Sequence, residues 1–368
     1  MFDRLPEYPW QKLRPYRELA SQHPEGSIDL SVGNPVDPTP EVVKKALDDA
    51  SDSPGYPTTW GERSARQAVC DWYATRRMSA GLSPEQVLLT IGSKEFISWL
   101  PLMLGIGPGD VVVQPTYAYT AYEVGAKFCG ADIFVGDDPA EWPENTRLIW
   151  LNSPGNPSGE VLSIERLRVA LARARELGAV IVNDECYAEL GWSGDYETYI
   201  PCMLDPDVTD GDLDNVLSIY SLSKQSNLAG YRAAFAAGDE KLIKGLVNLR
   251  MHSGMMVPLP VQKAIAAALG DHEHVAKQKE IYRRRRDILL PAVRAFGFEI
   301  SNSEAGLYLW ATRGNDCWQD IQELAELGIV AVPGEFYGEA GKKFVRFSIT
   351  ATDDEIQRAA ERLLNALG

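Results

Sequence analysis

The chain has 368 residues, 45% hydrophobic and 24% charged, which excludes disordered and collagenous classes and, at about 100–200 residues per domain, leaves room for two or three domains. With 36 Lys and Arg against 52 Asp and Glu, the net charge of −16 opposes nucleic acid and anionic lipid as partners. Five scattered cysteines without a C-x-x-C pair give neither a disulfide framework nor a thiolate zinc site. The segment MFDRLPEYPWQKLRPYREL lacks the apolar core of a signal peptide, and no apolar run approaches the roughly 18 residues that span a bilayer, so a cytoplasmic protein without membrane or metal is expected.

Residues 1–40 are Pro-rich and lack a long periodic segment, and are expected to wrap as an arm onto a small domain or a partner subunit. Residues 41–250 are expected to form the large domain. Seven short apolar runs alternate there with amphipathic stretches: VLLT (87–90), VVVQ (111–114), DIFVG (132–136), LIWLN (148–152), AVIVND (179–184), LSIYS (217–221) and AAFAAGD (233–239). Such near-continuous apolar runs predict an α/β fold with a mostly parallel seven-stranded sheet between helices. Between the fourth and fifth runs, Ser163 caps a crossover helix whose apolar face is Ile164, Leu167, Leu171 and Ala174, and Gly178 ends it. Residues 251–368 change character: a long helical stretch through IYRRRRDILLPAVRAFG, a strand at LYLWAT, a helix at 318–327, a strand at KFVRFSIT and a helix opened by Thr352. This mixture predicts a second, smaller α+β domain.

Several local patterns carry little chemistry. GIGPGD (105–110) precedes a strand, whereas a pyrophosphate loop must follow one, so it reads as a turn. DPDVTDGDLD (205–214) has Pro206 where a calcium loop needs an oxygen ligand. Arg283 to Arg286 are consecutive and point all around a helix, the pattern of a solvated helix with one or two ion pairs. The four histidines have no metalloprotease spacing.

The informative segment is SIYSLSKQSNLAGYR (218–232). After a buried strand it sets Ser221 and Ser223 beside Lys224, with Arg232 downstream. Hydroxyls plus a guanidinium make a phosphate cradle, and a lysine among them suits a covalent bond to an aldehyde cofactor that carries a phosphate. Upstream, AVIVNDECY ends an apolar strand with Asp184, a carboxylate that needs a cationic partner if buried. A protonated pyridine nitrogen is such a partner, so Lys224 and Asp184 together point to pyridoxal 5′-phosphate.

With these residues in place, the chain resembles the fold-type I, class I/II aminotransferases over nearly its whole length. The matching residues are Gly33 in SVGNP, Tyr56 and Gly61 in GYPTTWGERSARQA, Gly92, Ser93 and Lys94 in IGSKEFI, and Tyr117 in PTYAY. They continue through Asn156, Pro157 and Gly159 in NSPGNPSG, Asp184 and Tyr187 in NDECY, the Ser221–Arg232 segment, and Arg346 in VRFSIT.

The resemblance implies that Lys224 bonds the cofactor, Asp184 pairs with its ring nitrogen, and Asn156 and Tyr187 donate to its phenolic oxygen. It implies a phosphate held by the backbone of Ser93 and Lys94 at a helix start with Ser221, Ser223 and Arg232, a ring stacked on Tyr117, and a substrate α-carboxylate gripped by Arg346. Gly33 would leave room for the substrate backbone. Tyr56 would cross a homodimer with shared active sites to the neighbouring subunit's phosphate. Cys186, expected to face away from its neighbours' side chains, receives no catalytic role.

Substrates are then an amino acid and a 2-oxo acid, with glutamate and 2-oxoglutarate as the expected pair. Within the family, SVGNPVDPTP, GYPTTWG and SLSKQSNLAGYR are most similar to succinyldiaminopimelate aminotransferases of the actinobacterial type, in lysine biosynthesis. A glutamate-dependent aminotransferase of another amino acid and a pyridoxal phosphate-dependent C–S lyase are the alternatives.

Overall fold

The computed structural model describes residues 9–366; the first eight residues of the expected arm lie outside the described residues. A short strand, β1 (Ile28–Asp29), precedes β2 (Val87–Ile91), β3 (Val111–Gln114), β4 (Asp132–Val135), β5 (Thr146–Asn152), β6 (Val180–Asp184), β7 (Val216–Ser221) and β8 (Ala233–Gly238). These last seven coincide with the seven apolar runs and form one sheet in the order β2, β8, β7, β6, β5, β3, β4. Only β8 runs against the others, antiparallel to both β2 and β7.

The runs are apolar at every position because both faces of the sheet are covered. Leu89, Val113, Ile149, Ile181 and Phe235 enter one core, while Leu88, Val112, Trp150, Val182 and Ile219 enter the other. The crossover helix between β5 and β6 spans Ile164–Leu177, with Ser163 Oγ accepting from the Arg166 N–H and Gly178 left-handed at φ 63°. It buries Leu167, Ala170, Leu171 and Ala174 against the sheet.

The second unit contains β9 (Glu299–Ile300), β10 (Tyr308–Thr312), β11 (Ile329–Val330), β12 (Val332–Pro333) and β13 (Phe344–Ser348). Strands β12, β13, β10 and β9 form an antiparallel sheet. Thr352 and Glu355 make a reciprocal capping box at the start of helix Asp353–Asn365, so the acidic cluster seen in the sequence holds the first turn. The arm joins this unit: β1 pairs in parallel with β11, and helix Arg14–Ala20 packs on helix Cys317–Glu326. Helix Leu259–Gly270, which the sequence reading assigns to the second unit, packs its Val261, Ala264, Ile265 and Ala268 into the core of the first.

The arginine run does more than the solvated helix expected of it. On helix His272–Ala295, Arg285 is buried and donates to both oxygens of Asp37 (2.6 and 2.8 Å) and to Asp353 (2.6 Å). A guanidinium fork of this kind fastens the end of the arm to the start of helix Asp353–Asn365. Among the described residues no helix is long and apolar enough to cross a membrane.

Candidate active site

Residues just past β6, among them Cys186, Tyr187, Leu190 and Trp192, pack into the core of the second unit. A cavity of about 340 Å³ opens there, at the carboxyl ends of the parallel strands, where open α/β sheets receive ligands. Asp184 is the last residue of β6, in register with Asn152 on β5 and Ile219 on β7. It is 6% exposed, and Tyr122 Oη donates to its Oδ2 (3.0 Å) while the Cys186 N–H donates to its Oδ1 (3.2 Å). Burial pushes its carboxyl above the usual range, against the pull of the Cys186 thiol and of those two donors. Among the described residues no cation pairs with it, whereas the adjacent Glu185 faces the other way and meets Arg77 at 2.9 Å.

One end of the cavity is made of short-range turns. Ser221 closes β7 and caps the turn Leu222–Gln225, bringing its Oγ to 2.8 Å from Ser223 Oγ and placing Lys224 on the cavity wall. Lys224 Nζ donates to the Gly33 carbonyl. Helix Ser93–Met103 begins at Gly92 (φ 77°) with no side-chain cap. Arg232 lies against that start so closely that a Cβ on Gly92 would fall 2.3 Å from its Nη2. Arg232 donates to the Ala229 carbonyl at 2.8 Å and has no carboxylate partner among the described residues. Helix N–H groups, two hydroxyls and an arginine without an acid among the described residues have the chemistry that can hold a phosphate.

The other end is assembled from distant segments. Arg346 on β13 is 3% exposed, donates from Nη1 to Asn156 Oδ1 (2.9 Å) and from Nη2 to the Ser31 carbonyl (2.7 Å), and leaves Nε without a partner. Its guanidinium lies 3.8 Å from the Tyr308 ring centre and 4.9 Å from that of Tyr337. No carboxylate neutralises it among the described residues, and it is buried, so it is not a surface ion pair. A buried guanidinium without an anion is costly unless an anion is delivered to it. Tyr187 Oη sits 3.2 Å from Tyr308 Oη.

The cavity gathers Gly33, Ser93, Lys94, Asn156, Asp184, Tyr187, Ser221, Ser223, Lys224, Arg232 and Arg346. Tyr117 is not among them: it packs edge-on against Trp310 and Phe344 (5.2 and 5.6 Å), and Tyr119, two residues on, lines the cavity in its place. The room left by Gly33 is taken by Tyr308, since a Cβ there would lie 2.1 Å from the Tyr308 hydroxyl. Cys186 lines the cavity after all, on the side of Asp184 two residues before it. Tyr56 is 97% exposed and does not reach the cavity of its own chain. Sequence reasoning also missed Trp10, Asn152, Tyr122 and Tyr308; the only signal for Tyr122 was the crowding of tyrosines in PTYAYTAY.

Fold and cavity thus define an α/β enzyme whose lysine, buried aspartate and buried arginine face one small-molecule site. The chain belongs to the aminotransferases of class I and II, whose family description, "Aminotransferase class I and II", matches residues 25–363. It is 48% identical over 360 residues to the 4-dedimethylamino-4-oxo-anhydrotetracycline transaminase OxyQ of Streptomyces rimosus, covering 98% of this chain and 99% of that one. Among solved structures, an aminotransferase from Neisseria meningitidis superposes with a TM-score of 0.89 at 27% identity, covering 99% and 98% of the two chains. A probable N-succinyldiaminopimelate aminotransferase from Thermus thermophilus does so at 0.86 and 28% identity, covering 97% and 99%.

The chain is therefore a transaminase of fold type I acting on amino and keto acids, and its cofactor is pyridoxal 5′-phosphate. The residues present fit that group. Asp184 is a buried carboxylate without a cation among the described residues, the Gly92 cradle has no room for a side chain, and Asn156 has its Oδ1 engaged by Arg346, which leaves its Nδ2 to donate elsewhere.

Proposed function

We propose that the chain transfers an amino group between an amino acid and a 2-oxo acid as a homodimer with shared active sites, with Lys224 as covalent anchor and proton carrier. One observation carries this reading: Lys224, Asp184 and Arg346 line a single cavity, and the two buried charges lack an ionic partner among the described residues. Pyridoxal 5′-phosphate, when bound, supplies a protonated ring that draws electrons from the substrate α-carbon. Asp184 holds the proton at the ring nitrogen, and Asn156 Nδ2 and Tyr187 Oη donate to the phenolic oxygen. The N–H groups of Ser93 and Lys94, the Ser221 and Ser223 hydroxyls and Arg232 hold the phosphate, joined by the partner subunit's Tyr56. Tyr119, on the cavity wall, would pack against the ring. Arg346 presents its planar fork to the substrate α-carboxylate, and Lys224 Nζ takes the proton from the α-carbon as general base. The cytoplasmic placement rests on the five unpaired cysteines, four of them buried.

For the substrate, the finer reading is N-succinyl-L,L-diaminopimelate with 2-oxoglutarate, a step of lysine biosynthesis. It is supported by the motif resemblance and by the likeness to the Thermus enzyme. A second reading, an oxo compound with a large ring system, is favoured by the higher identity to OxyQ and by the aromatic side chains of Trp10, Tyr119, Tyr308 and Tyr337 on the cavity wall. The described cations of the arm, Lys12, Arg14 and Arg17, are already paired with Glu335, Glu18 and Asp29, so they offer little to a second anionic end. Borohydride reduction followed by peptide mapping should label Lys224, and Lys224→Ala should lose the label and essentially all turnover; a label on Lys94 or Lys127 would overturn the assignment. A panel of succinylated diaminopimelate, unacylated diaminopimelate, aspartate and ring-bearing oxo compounds, ranked by kcat/KM, separates the two substrates.

A further inference from the structure

We propose that Tyr308 is a positioning residue, whose hydroxyl donates to Tyr187 and so fixes the direction in which Tyr187 presents its own proton to the cofactor's phenolic oxygen. The inference rests on the role of Tyr187 proposed above.

Tyr308 opens β10, which pairs with β13, and its side chain reaches the cavity 5% exposed. Its ring stands edge-on to that of Tyr187, with centres 5.7 Å apart and the two hydroxyl oxygens 3.2 Å apart. On one flank Gly33 approaches so closely that any side chain would displace the phenol: a Cβ would fall 2.1 Å from Oη and 2.8 Å from the adjoining ring carbon. The Arg346 guanidinium lies over the Tyr308 ring, 3.8 Å from its centre. A tyrosine clamped on these sides has little freedom, and its oxygen stays within reach of Tyr187.

The direction of the hydrogen bond follows from counting protons. A phenol has one proton to give and lone pairs to receive. If Tyr187 gives its proton to the cofactor, the contact between the two tyrosines can be made only with Tyr308 as donor. Without that donor the Tyr187 hydroxyl is free to rotate away. Among the described residues, Arg346, Lys224, Tyr187, Tyr119, Tyr337 and Tyr282 are titratable groups around Tyr308. Burial pushes its phenol up, while Arg346, Lys224 and the hydrogen bond with Tyr187 together bring it below the ordinary tyrosine range. Burial and Tyr308 hold Tyr187 well above that range.

The test is a pH titration of the holoenzyme's visible cofactor absorbance in the wild type, Tyr308→Phe, Tyr187→Phe and the double variant. Phenylalanine keeps the ring and its packing, so a purely structural role leaves the midpoint unmoved. Losing a donor to the phenolic oxygen destabilises its charged form, so Tyr187→Phe should raise the midpoint. Tyr308→Phe should raise it by less, roughly half a unit to one unit, the worth of one hydrogen bond. The double variant should match Tyr187→Phe alone, because a residue that acts through another adds nothing once that other is gone. A midpoint unmoved by Tyr308→Phe while Tyr187→Phe shifts it, or two shifts that add in full, would overturn the inference and leave the Tyr187 role standing. A midpoint unmoved by Tyr187→Phe would remove both.

Discussion

On the function proposed above, the two ends of the cavity solve the same problem, holding an anion, by opposite means. The cradle at Gly92 collects several modest donors, each supplied by a turn at the end of a strand: helix N–H groups, the Ser221 and Ser223 hydroxyls and Arg232. The opposite end depends on one guanidinium, Arg346, placed by β13 and steadied by Asn156, Ser31 and two tyrosine rings. A group that stays bound through every turnover can be held by redundant contacts. A substrate that must enter and leave is better served by a single strong, planar receptor. Redundancy softens the loss of any one contact, and singularity concentrates it.

That contrast sets the order of expected effects. Arg346→Gln should lower kcat/KM by about a hundredfold or more, the usual cost of truncating a buried charged partner, while leaving cofactor affinity within about twofold. An equal loss of cofactor affinity would erase the distinction between the ends. Ser223→Ala should raise the cofactor's Kd by only about three- to tenfold, the worth of one hydrogen bond among several, with near-normal turnover once the cofactor is saturating. Equilibrium dialysis and saturation kinetics check both parts, and a Ser223 variant as damaged at saturation as the Arg346 variant would break the comparison.

Much of the cradle was legible in the sequence because it is local. SLSKQSNLAGYR holds two hydroxyls, the lysine and Arg232 within one stretch, and strand ends are announced by apolar runs. Asp184 was legible for a similar reason: a carboxylate ending an apolar strand must find a partner. The tyrosines were not. Residues 115–120 form no regular element, so no period says which of Tyr117 and Tyr119 turns inward, and packing on Trp310 and Phe344 decides it. Gly33 and Tyr308 are far apart in the chain, and their mutual dependence is a matter of steric contact that only the folded chain reveals. Arg285 was misread because exposure along a helix cannot be judged without Asp37, which the arm brings from far upstream.

The neighbouring carboxylates Asp184 and Glu185 bear on the protein's fate in the cell. Glu185 is neutralised from within, by Arg77 and by the Asn183 amide and Met203 N–H at 3.1 and 2.8 Å. Asp184 has no such internal cation among the described residues, and because burial raises its pKa, the cofactor-free protein loses stability as pH climbs from the ordinary carboxylate range toward that raised value, with no penalty below it. Cofactor-free Asp184→Asn should accordingly melt above the cofactor-free wild type at neutral pH, and the gap should close below about pH 4; a gap independent of pH would refute the account. Binding a ligand only in the folded state adds about 2.7 kcal/mol at a hundredfold excess over Kd. The cofactor then contributes to holding the chain folded as well as to the reaction, so the cofactor-free protein should be cleaved by an added protease faster than the loaded protein.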